Sequence, residues 1–305
     1  MRWVNRSFIE SPSVRNTWRN SHASIPTPLL KSDGNLRVYI NCRDQENISR
    51  VAWMDFSSLD PVSIIGVSDM PCLEVGEAGC FDDNGVNQCS VIRNPGGGFL
   101  MYYVGFELCH KIRYRMFTGL AVSETGDFFT RTSSTPILDR TADEQFFRCG
   151  PFVLHNGENF EMWYVAGGKW TLVKGVQKPI YKLRKAKSAY ADFSQAEFQD
   201  FLDPDEGKEF AFGRPWVCDY DQGYDLFYSI RNYEHNYILG YAQVDQNDRI
   251  KRLDQELGVR PGDGSHCRDM QCYASIVDFQ GKRFMLFNGD DFGRDGFFVM
   301  EWLKG

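Results

Sequence analysis

Five short strands, each with an aromatic anchor, recur along this chain at an almost constant interval, and no other feature narrows the possible folds as far. The stretches RVYINCRD (37–44), MYYVGFEL (101–108), MWYVAGGK (162–169), LFYSIRNY (226–233) and MLFNGDDF (285–292) align on Tyr39, Tyr103, Tyr164, Tyr228 and Phe287. These anchors are 64, 61, 64 and 59 residues apart, which points to repeated supersecondary units. An apolar run precedes each anchor (IPTPLL, CSVIRN, GPFVLHN, RPWVCDY, YASIVDF), and a polar turn such as SDGN, PGGG, NGEN, YDQG or QGKR lies between, as hairpins require. A third strand follows in every unit and a weaker fourth in four of them, for example within FTRTSSTPIL and RIKRLD. The expectation is an all-β chain: a five-bladed β-propeller with four antiparallel strands per blade, forming a single domain over 1–305. The last unit ends after its third strand, and RWVNRSFI near the N-terminus can complete that blade, close the ring and remove an exposed edge. A pair of β-sandwiches with coincidental spacing is the alternative.

Bulk properties bound the function. A net charge of −7 argues against a nucleic-acid or anionic-membrane partner. No stretch approaches the roughly 18 apolar residues of a membrane span, and the opening MRWVNRSFIESPSV lacks the apolar core of a signal peptide. A cytoplasmic protein is expected. Nine cysteines without a CxxC pair read as reduced, buried thiols. HCRDMQC (266–272) does not match zinc-site spacing, and no phosphate-cradling Gly loop or nucleophile elbow is present; neither metal nor cofactor is expected. Oligomeric state is left open.

In such a blade, the loop entering the first strand and the loop leaving the second lie on one face of the disc. That face would collect His22, Asp82, Asp83, Asn87, Arg148, Arg214 and Gln271 ahead of first strands, and Arg43, Asp44, Lys169, Arg231, Asn288 and Asp290 after second strands. Arginines from several blades suit carboxylate or phosphate groups, which they grip bidentately. The expected ligand therefore carries a carboxylate or phosphate group. The competing reading is that each Arg pairs with a neighbouring Asp and merely stitches blades together.

The stretches HASIPTP, LRVYINCRD, GCFDDNGVNQCSVI, PILDR, GPFVLHNGENFEMWYVAGGKW, FGRPWVCDYDQGYDLFYSIRN, YILGYAQ and MLFNGDDFGRDGF together resemble the five-bladed propellers of glycoside hydrolase families 43, 32 and 130. The resemblance is strongest to uncharacterised members linked to bacterial surface-polysaccharide synthesis. It implies carbohydrate chemistry by carboxylates of the first three blades, one protonating the leaving oxygen and another activating water or attacking the sugar. In family 43 the acid is a Glu directly before a Gly-Pro or Ala-Pro step of the third blade; here Cys149 precedes Gly150-Pro151. SHASIPTP places His22 where those hydrolases carry an aspartate. With the arginines, the resemblance implies an anionic sugar as ligand, namely a sugar phosphate, a nucleotide sugar or an acidic sugar residue. The resulting expectation is a carbohydrate-active enzyme with Asp82 or Asp83 as base and His22 as acid partner. The alternative is a non-catalytic carbohydrate-binding or assembly protein that has lost the family's Glu.

Overall fold

A computed structural model of the chain describes residues 2–220, 223–262 and 264–303. The strands are β1 (Trp3–Glu10), β2 (Ser21–Leu30), β3 (Leu36–Arg43), β4 (Ser49–Phe56), β5 (Ile64–Val67), β6 (Val86–Arg93), β7 (Phe99–Leu108), β8 (Tyr114–Ser123), β9 (Thr130–Arg131) and β10 (Phe147–His155). They continue with β11 (Phe160–Val173), β12 (Val176–Ser188), β13 (Glu197–Leu202), β14 (Glu209–Tyr220), β15 (Gly223–Asn232), β16 (Ile238–Asp245), β17 (Ile250–Arg252), β18 (Cys272–Phe279), β19 (Lys282–Asn288) and β20 (Gly296–Trp302). The chain is all-β, and among the described residues no helix is long and apolar enough to cross a membrane. The expected YDQG turn falls on residues 221–222, outside the described residues.

Consecutive strands pair antiparallel. β2–β5 and β14–β17 each form a four-stranded sheet, and β6–β9 and β10–β13 are two such runs joined by a two-residue parallel pairing of β8 with β10. The last run, β18–β20, takes β1 as its fourth strand, with Trp3 opposite Trp302 and Glu10 opposite Gly296. Among the described residues no sheet closes on itself.

The anchors explain why this period is visible. Tyr39, Tyr103, Tyr164, Tyr228 and Phe287 are all buried in the layers between runs. Their rings need room on the neighbouring strand, and two glycines supply it. Gly119 stands opposite Tyr103 and Gly240 opposite Tyr228, and a Cβ on either would collide with the facing phenol.

The first strand of every run carries a β-bulge at the level of the anchor. In β2, β10, β14 and β18 the register slips between Ser24 and Thr27, Cys149 and Phe152, Gly213 and Trp216, and Cys272 and Ser275. Two residues there oppose one, and in β6 Cys89 is the unpaired residue. A bulge bends its strand and re-aims side chains. Three of the five carry proline as the second bulged residue (Pro26, Pro151, Pro215), a residue that has no N–H to give the ladder and is tolerated in sheets at such places. Ile25, Gly150 and Tyr273 take φ of 54°, 60° and 62°. For Ile and Tyr that conformation is strained, and it turns their side chains toward the region where these five strands converge.

Candidate functional site

The bulged residues converge on a cavity of about 470 Å³ lined by Ile25, Cys89, Cys149, Gly150, Gly213, Arg214 and Tyr273, with Arg43 and Arg231 from the ends of β3 and β15. Two hairpins overhang it. The β7–β8 turn contributes Arg113 and Tyr114, and the long β11–β12 arm contributes Lys178, Pro179 and Tyr181. Tyr237 and Phe292 complete an aromatic wall of the kind that faces sugar rings and other flat ligands.

Five cationic side chains therefore line one cavity: Arg43, Arg113, Lys178, Arg214 and Arg231. Among the described residues none of them makes a salt bridge, and the only carboxylate on the wall is that of exposed Glu46. In an acidic protein this is a concentrated positive potential inside low-dielectric walls. Arg43 is held by Asn47 Oδ1 at 3.0 Å, and burial lowers its proton affinity. Arg231 is buried, with its guanidinium carbon 4.3 Å from the Tyr237 ring centroid. Burial, then the neighbouring Arg231 and Arg113, push the Lys178 ammonium down from its ordinary value. Burial pushes the Tyr237 phenol up to about 12 and raises Tyr273 and Tyr181 well above the usual range. All three are neutral hydroxyls at ordinary pH.

Arg214 is the deepest of the five. Its Nη1 donates to the carbonyls of Tyr273 (3.0 Å), Ala274 (3.3 Å) and Pro26 (3.4 Å), and its Nη2 donates to Thr27 Oγ1 (2.7 Å) and the Cys89 carbonyl (3.2 Å). One side chain from β14 thus ties together the bulges of β2, β6 and β18. Burial lowers its value to about 10, so it stays charged at neutral pH with no carboxylate beside it. Its Nε–H, also buried, has no partner.

Of the residues expected at the site, the structure brings together Arg43, Asn87, Arg214 and Arg231. Asn87 lines the cavity and accepts from Ser49 Oγ at 2.6 Å. The others are placed elsewhere. The Asp82 carboxylate is fully buried against its own run, where Arg131 Nε (2.7 Å) and Tyr103 OH (3.0 Å) donate to it. Asp83 caps its own turn by accepting from the Gly79 N–H at 2.9 Å. Asp44 likewise caps the turn after β3 and pairs with Arg50 at 2.7 Å. Arg148 turns away from the cavity to Glu144 (2.5 Å) and stacks 4.6 Å from the Phe198 centroid. Gln271 bonds the Arg260 carbonyl (2.8 Å). Asn288 latches β19 to β2 by accepting from the Ile25 N–H (2.7 Å) and donating to the Ala23 carbonyl (3.0 Å). Asp290 accepts from the N–H groups of Arg268, Asp269 and Met270. Lys169 is exposed within β11, because that strand resumes after a bulge between Ala166 and Lys169 instead of ending in a loop.

His22 is buried beside the cavity, not on its wall. Burial, then the Arg43 and Arg294 guanidiniums, lower its value to about 3, so at neutral pH it is an unprotonated imidazole with no proton to supply as a general acid. The shift also has a consequence for stability. Above about pH 6.5 His22 is neutral folded and unfolded alike. As pH falls toward 3 the unfolded chain takes up a proton that the folded chain refuses, so stability is lost through that window. Urea melts at pH 7 and pH 4.5 are expected to show that His22→Gln loses less stability than the wild type, by roughly 2 kcal/mol; equal losses would contradict this assignment.

Arg113, Lys178 and the tyrosines of the overhanging hairpins were not expected at the site. The available signal was length, since VAGGKWTLVKGVQKPIYKLRKAKS holds far more strand than a two-residue hairpin turn needs. Among the described residues no group of three or more His, Cys, Asp or Glu side chains could hold a metal ion. Burial raises the cavity thiols, Cys89 to about 12 and Cys149 well above its ordinary range, the latter also by its neighbour Cys89. Both are therefore poor nucleophiles.

Comparison with protein-family models finds no match. The uncharacterized protein Rv1502 of Mycobacterium tuberculosis is 28% identical over 297 residues, spanning 97% of this chain and 98% of that protein. Among solved structures, a glycosyl hydrolase from Bacteroides ovatus superposes with a TM-score of 0.69 at 14% identity, covering 98% of this chain and 94% of that one. An alpha-L-arabinofuranosidase from Lactobacillus brevis gives 0.71 at 10% identity over 97% and 94%. A thermostable family-43 glycoside hydrolase gives 0.63 at 14% over 97% and 93%. At such identities the likeness is one of architecture: this chain has the fold seen in family-43-type glycoside hydrolases.

Proposed function

We propose that the chain is a single-domain, five-bladed β-propeller whose central cavity binds an anionic carbohydrate, either a sugar phosphate, a nucleotide sugar or an acidic sugar, in glycan metabolism. The observation that carries this reading is the set of five cations on one aromatic-walled cavity that make no salt bridge among the described residues. A guanidinium such as Arg214, buried without a counter-ion and with a free Nε–H, is costly unless a ligand supplies the missing charge. Support for a carbohydrate comes from the fold shared with glycoside hydrolases and from the tyrosine wall.

The wall favours binding over hydrolysis by a carboxylate pair. Glycoside hydrolysis in such folds needs two carboxyl groups roughly 5 to 10 Å apart astride the sugar, and Glu46 is the sole carboxylate on the wall among the described residues. Calorimetry with glucose 1-phosphate, a nucleoside-diphosphate glucose and galacturonic acid against neutral maltose tests the reading. At least one charged sugar is expected to bind, more weakly as salt rises; binding of maltose alone would overturn it. Asp82→Asn separates the two roles considered for that residue. It is expected to lower stability by roughly 2 kcal/mol, because the Arg131 guanidinium loses its buried partner, and to leave charged-sugar affinity within about twofold. A hydrolytic turnover abolished by this substitution at unchanged stability would instead restore Asp82 as a base.

A further inference from the structure

The two hairpins that overhang the cavity carry exposed apolar and basic side chains, of which Leu108, Arg113 and Lys178 also border the cavity while the rest lie off its wall. At the end of β7, Leu108 is 63% exposed, and at the tip of the β11–β12 arm Leu172 and Val176 are 69% and 47% exposed. Around them stand Lys111, Arg113, Lys169, Lys174 and Lys178, while residues 108–113 and 169–178 contain no Asp or Glu. None of these five cations makes a salt bridge among the described residues. The nearest acid in sequence, Glu107, is engaged by Arg115 and Arg140, each at 3.5 Å.

Another exposed apolar group shows that this combination is local. Leu59, Ile64, Ile65 and Met70 project around β5, but Asp60 and Asp69 lie among them. That patch would be repelled by a negative surface. In the hairpin tips' own sequence the apolar ends are flanked by basic residues and no acidic ones, and the two chemistries together narrow the partner. A soluble polyanion would use the lysines and gain nothing from Leu172 or Val176. An anionic bilayer uses both, the aliphatic tips entering the headgroup region and the ammonium groups meeting lipid phosphates. The chain's net charge of −7 argued against such a surface, but the charge is not spread evenly.

We propose that the β7–β8 and β11–β12 tips dock on an anionic lipid surface, with Leu108, Leu172 and Val176 inserted and Lys111 and Lys174 against the headgroups. The mouth of the cavity then opens toward the bilayer. This surface stands on its own residues and does not depend on which ligand the cavity takes.

Flotation of the full chain with phosphatidylcholine vesicles, with and without about one third phosphatidylglycerol, tests the proposal. The wild type is expected to partition at least roughly tenfold more onto the anionic vesicles, less so as salt rises. Leu172→Ser/Val176→Ser is expected to reduce that binding roughly tenfold, and Lys111→Glu/Lys174→Glu to abolish it. Both double variants replace exposed side chains off the cavity wall, so unchanged melting temperature and charged-sugar affinity confirm that they are folded. Equal partition onto both vesicle types would overturn the proposal. So would wild-type binding by the double serine variant, which would reduce the effect to charge alone. Self-association lost in the serine variant, without vesicle binding, would assign the tips to a second copy of the chain and overturn it as well.

Discussion

Arg231→Ala is expected to weaken binding of a charged sugar by about 10- to 100-fold, the equivalent of one charge-assisted hydrogen bond of about 1.5–3 kcal/mol. The side chain is buried at the end of β15, bears on Tyr237, and among the described residues makes no salt bridge with a carboxylate. It is held ready for a ligand oxygen by the aromatic wall and by nothing anionic. Arg231→Lys keeps the charge but loses the planar fork, so it is expected to recover only part of the affinity. Any affinity for a neutral sugar should move much less, and that contrast ties the effect to the ligand's charge. Isothermal calorimetry on the three proteins decides the matter, and an alanine variant that binds like the wild type would remove Arg231 from the site.

Arg214→Met is expected to be the most damaging single substitution for stability, costing roughly 3–5 kcal/mol. Methionine fills most of the volume, but it cannot donate to the carbonyls of Cys89, Tyr273 and Ala274 at the junction of three bulges, while that of Pro26 keeps only Ser275 Oγ. Urea unfolding should show a lower midpoint with an unchanged slope, and the melting temperature should fall by roughly 6 °C or more. A ligand binding only the folded wild type would widen the gap, since its binding free energy adds to stability. If Arg214→Met unfolds at the wild-type midpoint, the bulges are held by their own strands, and Arg214 is only a cavity cation.

The strands were legible in the sequence because two-residue alternation and turn chemistry are local properties. The anchors marked each second strand, and even the pairing of Trp3–Glu10 with the last strand followed from counting. Site residues were legible only in part. Arg43, Arg214 and Arg231 could be assigned to one face from their strand ends, but the same reasoning sent Asp82, Arg148 and Asn288 there too. Those side chains turn elsewhere: Asp82 to Arg131 and Arg148 to Glu144 within their own runs, and Asn288 to the backbone of β2. Strand-end position specifies an end of the sheet and not the direction of a side chain, which is settled by partners distant in sequence: Arg131 for Asp82, Phe198 for Arg148 and the β2 backbone for Asn288. His22 shows the same limit. It lies beside the cavity, yet burial, then the Arg43 and Arg294 guanidiniums, leave it unprotonated, a state that no local pattern announces.

What the sequence by itself determined is the period, about sixty residues with an aromatic in each second strand, because that ring must fill the same layer in every unit. Only the tertiary structure decided what the period is for. Opposite or beside each anchor lies a bulge, and the five bulges turn Ile25, Cys89, Gly150, Arg214 and Tyr273 toward one cavity. The prolines at 26, 151 and 215 hinted at broken ladders, but a bulge is defined by register against the partner strand. The same holds for the charge. Sequence can count arginines, whereas which of them lack a carboxylate is known only when every neighbour is in place.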